Sequence, residues 1–327
     1  MNLVVTGGAG YMGSGLLLKL GEEFPEATIT SLDNLTTGDY HQVGHLKKSK
    51  RHRLLVGDIR RKSDLKEAIT PDTGIIIHLA AMPGVKLCNE QPKNAISTNI
   101  YGTYLLLEEA VNRNVDRFVF TSSAAVYGSP LQQPISERHP LRPINLYGVT
   151  KVSAEKLLNA CHVTSGVNTA ILRLSNVYGL GAYMKWKTVI PRFVWQTVHD
   201  KPLTIRADGK QQRNFVHLQD VTDAIVQCLK APKQAVAGET FNIGGESLSV
   251  NQVAKIVIQE GQRRLGGKVS KVHTSSELGE VYTPEFSYDS ERASKKIGYG
   301  PKREVSSGVS ELFDYALEVK ATQGQEN

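Results

Sequence analysis

The chain has 327 residues, of which 40% are hydrophobic and 22% charged, with no apolar run near the ~20 residues a membrane helix requires. That composition excludes a disordered chain, a fibrous repeat and a membrane-spanning protein, and fits one large two-lobed unit or two domains of ordinary size. The formal charge of +7 suits anionic small molecules as well as nucleic acid, and the basic run from Lys47 to Arg53 carries no interleaved aromatics that would favour nucleic acid.

Met1 runs straight into Leu3-Val4-Val5, so no secretory leader is expected, and the protein reads as cytoplasmic. Cys88, Cys161 and Cys228 lie far apart without a CxxC pair, which argues for a reducing compartment and against a structural zinc site. His41 and His45 have helical metal-ligand spacing, but Gly44 lies between them and no Glu accompanies them, so no metal is expected.

In chain order, Leu3 to Val5, Ala27 to Leu32, Arg53 to Val56, Gly74 to Leu79 and Arg117 to Thr121 read as strands. Tyr11 to Glu22, Ser63 to Ile69 and Asn94 to Asn112 read as helices between them. Tyr147 to Ser165 predicts another helix and Thr169 to Leu174 another strand. This alternation implies an α/β protein, a Rossmann-type doubly wound parallel sheet whose strands are apolar because both faces are covered. A smaller α/β substrate-binding lobe is expected to follow, with Pro191 to His199 helical, Pro202 to Ile205 a strand, Val216 to Leu229 returning to the large lobe and a polar helical tail from Val250. The expected division is 1–175, with 214–243 returning to it, and 176–327. His78, inside an apolar strand, reads as a packed core histidine, and Trp186 and Trp195 as packing or pocket walls.

Thr6-Gly7-Gly8-Ala9-Gly10-Tyr11-Met12-Gly13 places G-x-G-x-x-G at Gly8, Gly10 and Gly13, after a strand and at the opening of a helix. A glycine pattern alone could be a flexible loop. In this context glycines permit a tight turn and close backbone approach, and the helix N-terminus offers N–H groups to a pyrophosphate. Asp33 ends the second strand 20 residues after Gly13, where a carboxylate accepts from adenosine ribose hydroxyls and repels a 2′-phosphate, so NAD is preferred over NADP. Asp58-Ile59, at the end of the third strand, could contact adenine.

Tyr147-Gly148-Val149-Thr150-Lys151 puts a phenol and an ammonium four apart on one helix face. The ammonium is expected to lower the phenol's pKa toward that of a base usable near neutrality. Ser123, at the carboxyl edge of its strand, is placed to hydrogen-bond the oxygen that Tyr147 deprotonates.

Taken together, TGGAGYMG, Asp33, GDI, HLAA, TSSAAVYG, YGVTK, RLSNVYG, DGKQQRNFVHLQDV and FNIGG make a chain that resembles the extended short-chain dehydrogenase/reductase family over nearly its whole length. The resemblance implies NAD held by Gly7, Gly10, Tyr11, Met12, Gly13, Asp33, Asn34, Asp58, Ile59, Leu79, Ala80, Ala81, Asn99, Tyr147 and Lys151. It further implies catalysis by Ser123, Tyr147 and Lys151, a nucleotide-diphosphate sugar, UDP-linked, contacted by Ser123, Tyr147, Asn176 and Arg213, and a homodimer formed through helices 94–112 and 147–165. Sugar 4,6-dehydratases resemble one another in an Asp-Glu pair after the serine, where this chain has Ala124 and Ala125. The resemblance therefore points to a UDP-glucose 4-epimerase-like isomerase, and GVKLCNEQP is similar to uronate-type 4-epimerases. A 4-ketoreductase using the same residues and a non-catalytic NAD-binding module are the alternatives. Two departures bear on the nucleotide: the family often has Tyr-Gly in place of Arg206-Ala207, and Arg near Gly279-Glu280, where this chain has Glu277.

Overall fold

The computed structural model describes every residue except 39, 41–42, 44–49, 182–183, 185, 268, 276–284 and 324–327. His41, His45, Glu277 and Gly279-Glu280 lie outside the described residues, as do Lys47, Lys48 and Ser49 at the start of the basic run.

Seven strands form the central sheet: β1 (Asn2–Thr6), β2 (Thr28–Asp33), β3 (His52–Val56), β4 (Ile75–His78), β5 (Arg117–Ser123), β6 (Asn168–Leu174) and, further along the chain, β10 (Glu239–Ile243). Their order is β10-β6-β5-β4-β1-β2-β3 and every pairing is parallel. The apolar runs of β1, β4, β5 and β6 are buried almost throughout, because helices cover both faces. The two-residue period of a strand sorts their side chains between two cores. Leu3, Val5, Ile77, Val119 and Leu172 pack under α1 (Tyr11–Glu23) and α8 (Leu218–Lys230). Val4, Ile76, Phe118, Phe120 and Ile171 face α2 (Lys62–Ala68), α5 (Thr103–Asn112) and α6 (Leu146–Ser165).

The strand order reverses between β1 and β4, where Thr6 sits opposite His78. Open α/β sheets bind ligands beyond the carboxyl ends of the strands at such a reversal.

The helix expected over Asn94 to Asn112 is not regular. It begins as α4 (Pro92–Ile96), widens into a π-helical stretch at Ser97–Gly102 and continues as α5. Gly102 packs so closely on Ile59 that a Cβ there would meet the isoleucine Cδ1 at 2.7 Å. A short helix that the apolar pattern did not reveal, α3 (Val85–Glu90), precedes α4.

Beyond β6 the elements are β7 (Asn176–Tyr178), α7 (Val189–Val198), β8 (Leu203–Arg206) and β9 (Gln212–His217). After α8, the short α9 (Lys233–Val236) and β10 come β11 (Glu246–Ser249), α10 (Val250–Leu265), β12 (Lys271–Thr274), α11 (Glu291–Ile297) and α12 (Val305–Gln323). β9 runs antiparallel to β11 and parallel to β7, while β8 pairs with β12. A separate apolar cluster built on Phe193, Val194, Val257 and Phe313 holds α7, α10 and α12 together. Thus β9 joins a small sheet, and the segment that packs back on the large one starts at α8, against α1. Trp186 stacks on Tyr315 and Trp195 on His199, so both tryptophans pack against neighbouring rings. Among the described residues no helix is long and apolar enough to cross a membrane.

Candidate active site

The glycine turn between β1 and α1 is shaped by contacts that leave no room for side chains. Gly7 has φ +78°, and a Cβ on it would lie 2.6 Å from the Ala80 backbone nitrogen. A Cβ on Gly13 would lie 2.0 Å from the Gly7 carbonyl oxygen. Gly10 differs: among the described residues its Cβ would meet only that same oxygen, at 3.4 Å. The protein's own packing explains Gly7 and Gly13, and it gives no comparable steric reason for a glycine at Gly10. Tyr11 opens α1, but its side chain is buried and its hydroxyl donates to the Gly179 carbonyl at 2.8 Å. Tyr11 can therefore meet a phosphate only through its backbone, while Met12 is half-buried beside it.

Asp33 receives the Ala9 amide on Oδ2 (3.0 Å) and the Leu35 amide on Oδ1 (2.8 Å). Leu35 takes a left-handed φ of +58° to make that turn, an uncommon conformation for a branched side chain. Burial raises the Asp33 carboxyl pKa, and the amides of Leu35, Ala9 and Gly10 oppose the rise. Each oxygen keeps acceptor capacity for a ribose hydroxyl. Asn34 donates to Asp58, and Arg60 closes on both Asp58 oxygens (2.9 and 2.6 Å), which holds that carboxyl well below its usual range. Ile59 is buried, and Leu79, Ala80 and Ala81 follow β4.

Asn99, 2% exposed within the π-helical turn, spends its amide on the fold. It accepts from the Met82 amide (2.7 Å) and donates to the Met82 carbonyl (3.1 Å) and the Thr150 hydroxyl (3.0 Å). It ties the loop after β4 to the N-terminal part of α6.

The Asn145 side chain caps α6 by accepting from the Gly148 amide (2.9 Å), so Tyr147 stands in its first turn. Ser123 ends β5 and its hydroxyl accepts from the Ala125 amide at 3.2 Å. Lys151, 4% exposed, donates from Nζ to the Thr121 carbonyl (2.8 Å) and lies 4.6 Å over the Phe120 ring and 6.0 Å over that of Tyr147. Ser123, Tyr147 and Lys151 thus converge at the carboxyl edge of β5.

The expected lowering of the Tyr147 pKa is not found in this state. Burial pushes the phenol up to about 12, and a hydrogen bond from Ser123 only partly offsets it. The reason is geometric: helical spacing puts Lys151 on the right face, but its ammonium is committed to Thr121. Burial also pulls Lys151 down to about 8. His78 is buried between the hydroxyls of Thr6 (2.7 Å) and Thr103 (2.9 Å), and burial together with Lys151 lowers it to about 3, so it is a neutral core residue. Cys88 was not singled out for the site, yet it is buried with its thiol donating to the Met82 carbonyl (3.4 Å), and its charge state couples to those of Lys151 and Tyr147.

Lys151 is held in the fold at a cost. Its folded pKa lies below the unfolded 10.5, so the ammonium opposes folding below about pH 8, and stability from this group rises as pH climbs from about 8 to 10.5. Lys151→Met is expected to stabilise the protein by about 3 kcal/mol at pH 7, seen as a higher denaturant midpoint with an unchanged slope. The gain should shrink as pH rises through that window. A destabilised Lys151→Met would show that the hydrogen bond to Thr121 outweighs desolvation.

Asn176 and Arg213 come from neighbouring strands, β7 and β9. Asn176 is exposed and donates to the Asn214 carbonyl (2.9 Å), and Arg213 is half-buried and donates to the Gln212 carbonyl (2.7 Å). Arg206 ends β8 and is half-buried, and Ala207 takes φ +53°, a conformation suited to the glycine more usual there.

A doubly wound sheet with a glycine turn at its switch point, beside a Ser, Tyr and Lys constellation, defines a dinucleotide-dependent enzyme of the Rossmann type. Comparison with known proteins gives the family. The model of the NAD dependent epimerase/dehydratase family matches residues 3–244, and the chain belongs to that family. It is similar to a putative UDP-glucose 4-epimerase of Methanocaldococcus jannaschii, 33% identical over 96% of this chain and 97% of that protein. It is also similar to the human dTDP-D-glucose 4,6-dehydratase, 32% identical over 79% of this chain and 73% of that one. Among solved structures, a UDP-glucuronic acid 4-epimerase from Bacillus cereus, in complex with UDP-glucuronic acid and NAD, superposes with a TM-score of 0.85 at 29% identity, covering 98% of this chain and all of the other.

Proposed function

We propose that the chain is an NAD-dependent nucleotide-sugar 4-epimerase that works through a transient 4-keto sugar. The observation that carries this reading is the convergence of Ser123, Tyr147 and Lys151, with Ala124 and Ala125 following the serine where an acid pair would stand in a 4,6-dehydratase. The two acids buried behind the site are already engaged, Glu155 with Arg173 and Glu137 with the Asn242 amide. Neither is available to eliminate water as a 4,6-dehydratase must.

In this reading residues 1–175, with the return from α8 to β10, hold the cofactor, and the rest of 176–327 holds the sugar nucleotide. Gly7, Gly10 and Gly13 and the first turn of α1 take the pyrophosphate. Asp33 and Asn34 take the adenosine ribose, and Asp58 and Ile59 border the adenine. Leu79, Ala80, Ala81 and Asn99 line the path to the nicotinamide, whose ribose Lys151 holds. Bound NAD would supply the acceptor and donor for the C4 hydride, and its oxidised ring would add positive charge near the Tyr147 phenol. Tyr147 removes the proton of the 4-hydroxyl and gives it back, and Ser123 hydrogen-bonds the same oxygen. Asn176 and Arg213 contact the diphosphate, for which an Arg fork is suited.

The substrate is UDP-linked, and a second copy of the chain completes the assembly. The exposed apolar side chains Ile96, Tyr101 and Tyr104, with Val149 and Val163 on α6, support such pairing. Three free cysteines support a reducing compartment, the cytoplasm.

The test is incubation with UDP-glucose, UDP-N-acetylglucosamine and UDP-glucuronate without added reductant, resolving products by NMR. A C4 epimer is the expected product. No conversion of any of the three with NAD bound would overturn the reading, and stoichiometric oxidation of added NADH by a 4-keto sugar would replace it with ketoreduction.

A further inference from the structure

A buried carboxylate that accepts three hydrogen bonds lies behind the site. Glu155 is 1% exposed on α6, one helical turn after Lys151 and two after Tyr147. Arg173, on β6 and 5% exposed, grips it with two parallel hydrogen bonds, Nε to Oε1 (3.0 Å) and Nη2 to Oε2 (2.7 Å). The Ser122 hydroxyl, on β5, donates to Oε1 at 2.5 Å. The remaining Arg173 nitrogen donates to the Tyr127 hydroxyl (2.9 Å) and the Glu137 carbonyl (3.1 Å).

Three elements are therefore joined at one carboxylate, and two of them carry the site. Ser122 precedes Ser123 on β5, and Lys151 bonds to Thr121 on the same strand. A buried bidentate ion pair is costly to assemble, and replacing such pairs by apolar residues is often neutral or stabilising. Stability alone thus gives a weak reason for it, and its placement against Lys151 gives a stronger one.

We propose that Glu155, clamped by Arg173 and Ser122, is a positioning residue that fixes the meeting of α6 with β5 and keeps a negative charge on the face of Lys151, so that the lysine stays an ammonium in an apolar pocket. This deepens the epimerase reading and rests on it for its catalytic meaning. Groups around Lys151 come from every side: His78 on β4, Cys88 on α3, Tyr147 on its own helix, and Arg173 on β6 behind Glu155. Burial lowers the lysine pKa, Glu155 opposes that most strongly, and Cys88 adds to the opposition. His78 is neutral and Arg173 works against Glu155.

The test reads Lys151 directly, without substrate. In protein labelled with 13Cε-lysine, the Lys151 resonance, assigned by its loss in Lys151→Met, is titrated with pH. In Glu155→Gln the midpoint should fall by about one pH unit, a tenfold drop in the charged fraction on the alkaline side. A second variant, E155L/R173M, removes both charges without orphaning one and should place the midpoint between wild type and Glu155→Gln. If Glu155→Gln does not fold, the double variant alone decides. An unshifted midpoint in a folded variant overturns the proposal, leaving the pair purely structural. A shifted midpoint in a protein that epimerises none of the UDP-sugars would sustain the role of Glu155 and count only against the choice of reaction. With an active substrate, kcat should fall in Glu155→Gln while KM stays near wild type, and the alkaline limb of the pH profile should move with the NMR midpoint.

Discussion

Tyr147→Phe is expected to lower epimerisation by about 10²–10⁴-fold, the range that a positioned acid–base group supplies, while dinucleotide affinity and thermal midpoint change little. The reason is local. Phenylalanine keeps the ring against which Lys151 lies and removes only the hydroxyl, whose identified partner is Ser123. Isothermal titration with NAD and the NMR assay separate the two effects. Retained turnover would transfer the proton chemistry to another group. The pH dependence carries a second check. With the phenol at about 12 in the ligand-free protein, the base form is scarce at neutrality, so turnover should climb with pH. The climb should bend near pH 8, where Lys151 begins to lose its proton. Prior saturation with NAD should move the rising limb to lower pH, because the oxidised ring brings further positive charge.

Features that depend on short stretches of chain were legible in the sequence. The glycine turn, Asp33 and the Tyr147–Lys151 spacing each lie within one strand–helix junction or one helix, so periodicity and turn chemistry located them. The doubly wound sheet followed from alternation. What sequence could not give was the direction of side chains that cross between elements. Helical spacing put Lys151 beside Tyr147 but could not say that its Nζ would choose the Thr121 carbonyl. Glu155 and Arg173 sit 18 residues apart on a helix and a strand, and nothing local distinguishes them from surface charges. Cys88 read only as an indicator of compartment, because its approach to the site depends on the short helix α3 folding back beside α6. The π-helical turn arises from tertiary packing of Gly102 on Ile59 and of Asn99 on Met82, which an apolar stripe does not encode.

The glycines of the turn offer a sharper separation between folding and binding. Gly13→Ala should cost roughly 3 kcal/mol or more of stability, at or beyond the upper end of ordinary overpacking, because the new methyl would sit 2.0 Å from one main-chain oxygen and 2.5 Å from the Gly8 Cα. Neither is the end of a flexible side chain, so the turn itself must shift, and NAD binding should be lost with it. Gly10→Ala meets a single atom at 3.4 Å, ordinary contact, and its backbone is extended with φ −77°. Its thermal midpoint should therefore stay near wild type or rise slightly, since alanine restricts the unfolded chain. If Gly10 is bare because a pyrophosphate approaches it, this stable variant should nevertheless bind NAD at least ten times more weakly. Calorimetry on the two variants gives opposite patterns under that account: Gly13→Ala loses midpoint and affinity together, and Gly10→Ala loses affinity alone. A Gly10→Ala protein that binds NAD normally would mean that the diphosphate passes elsewhere, and the cofactor contacts assigned to this turn would have to be redrawn.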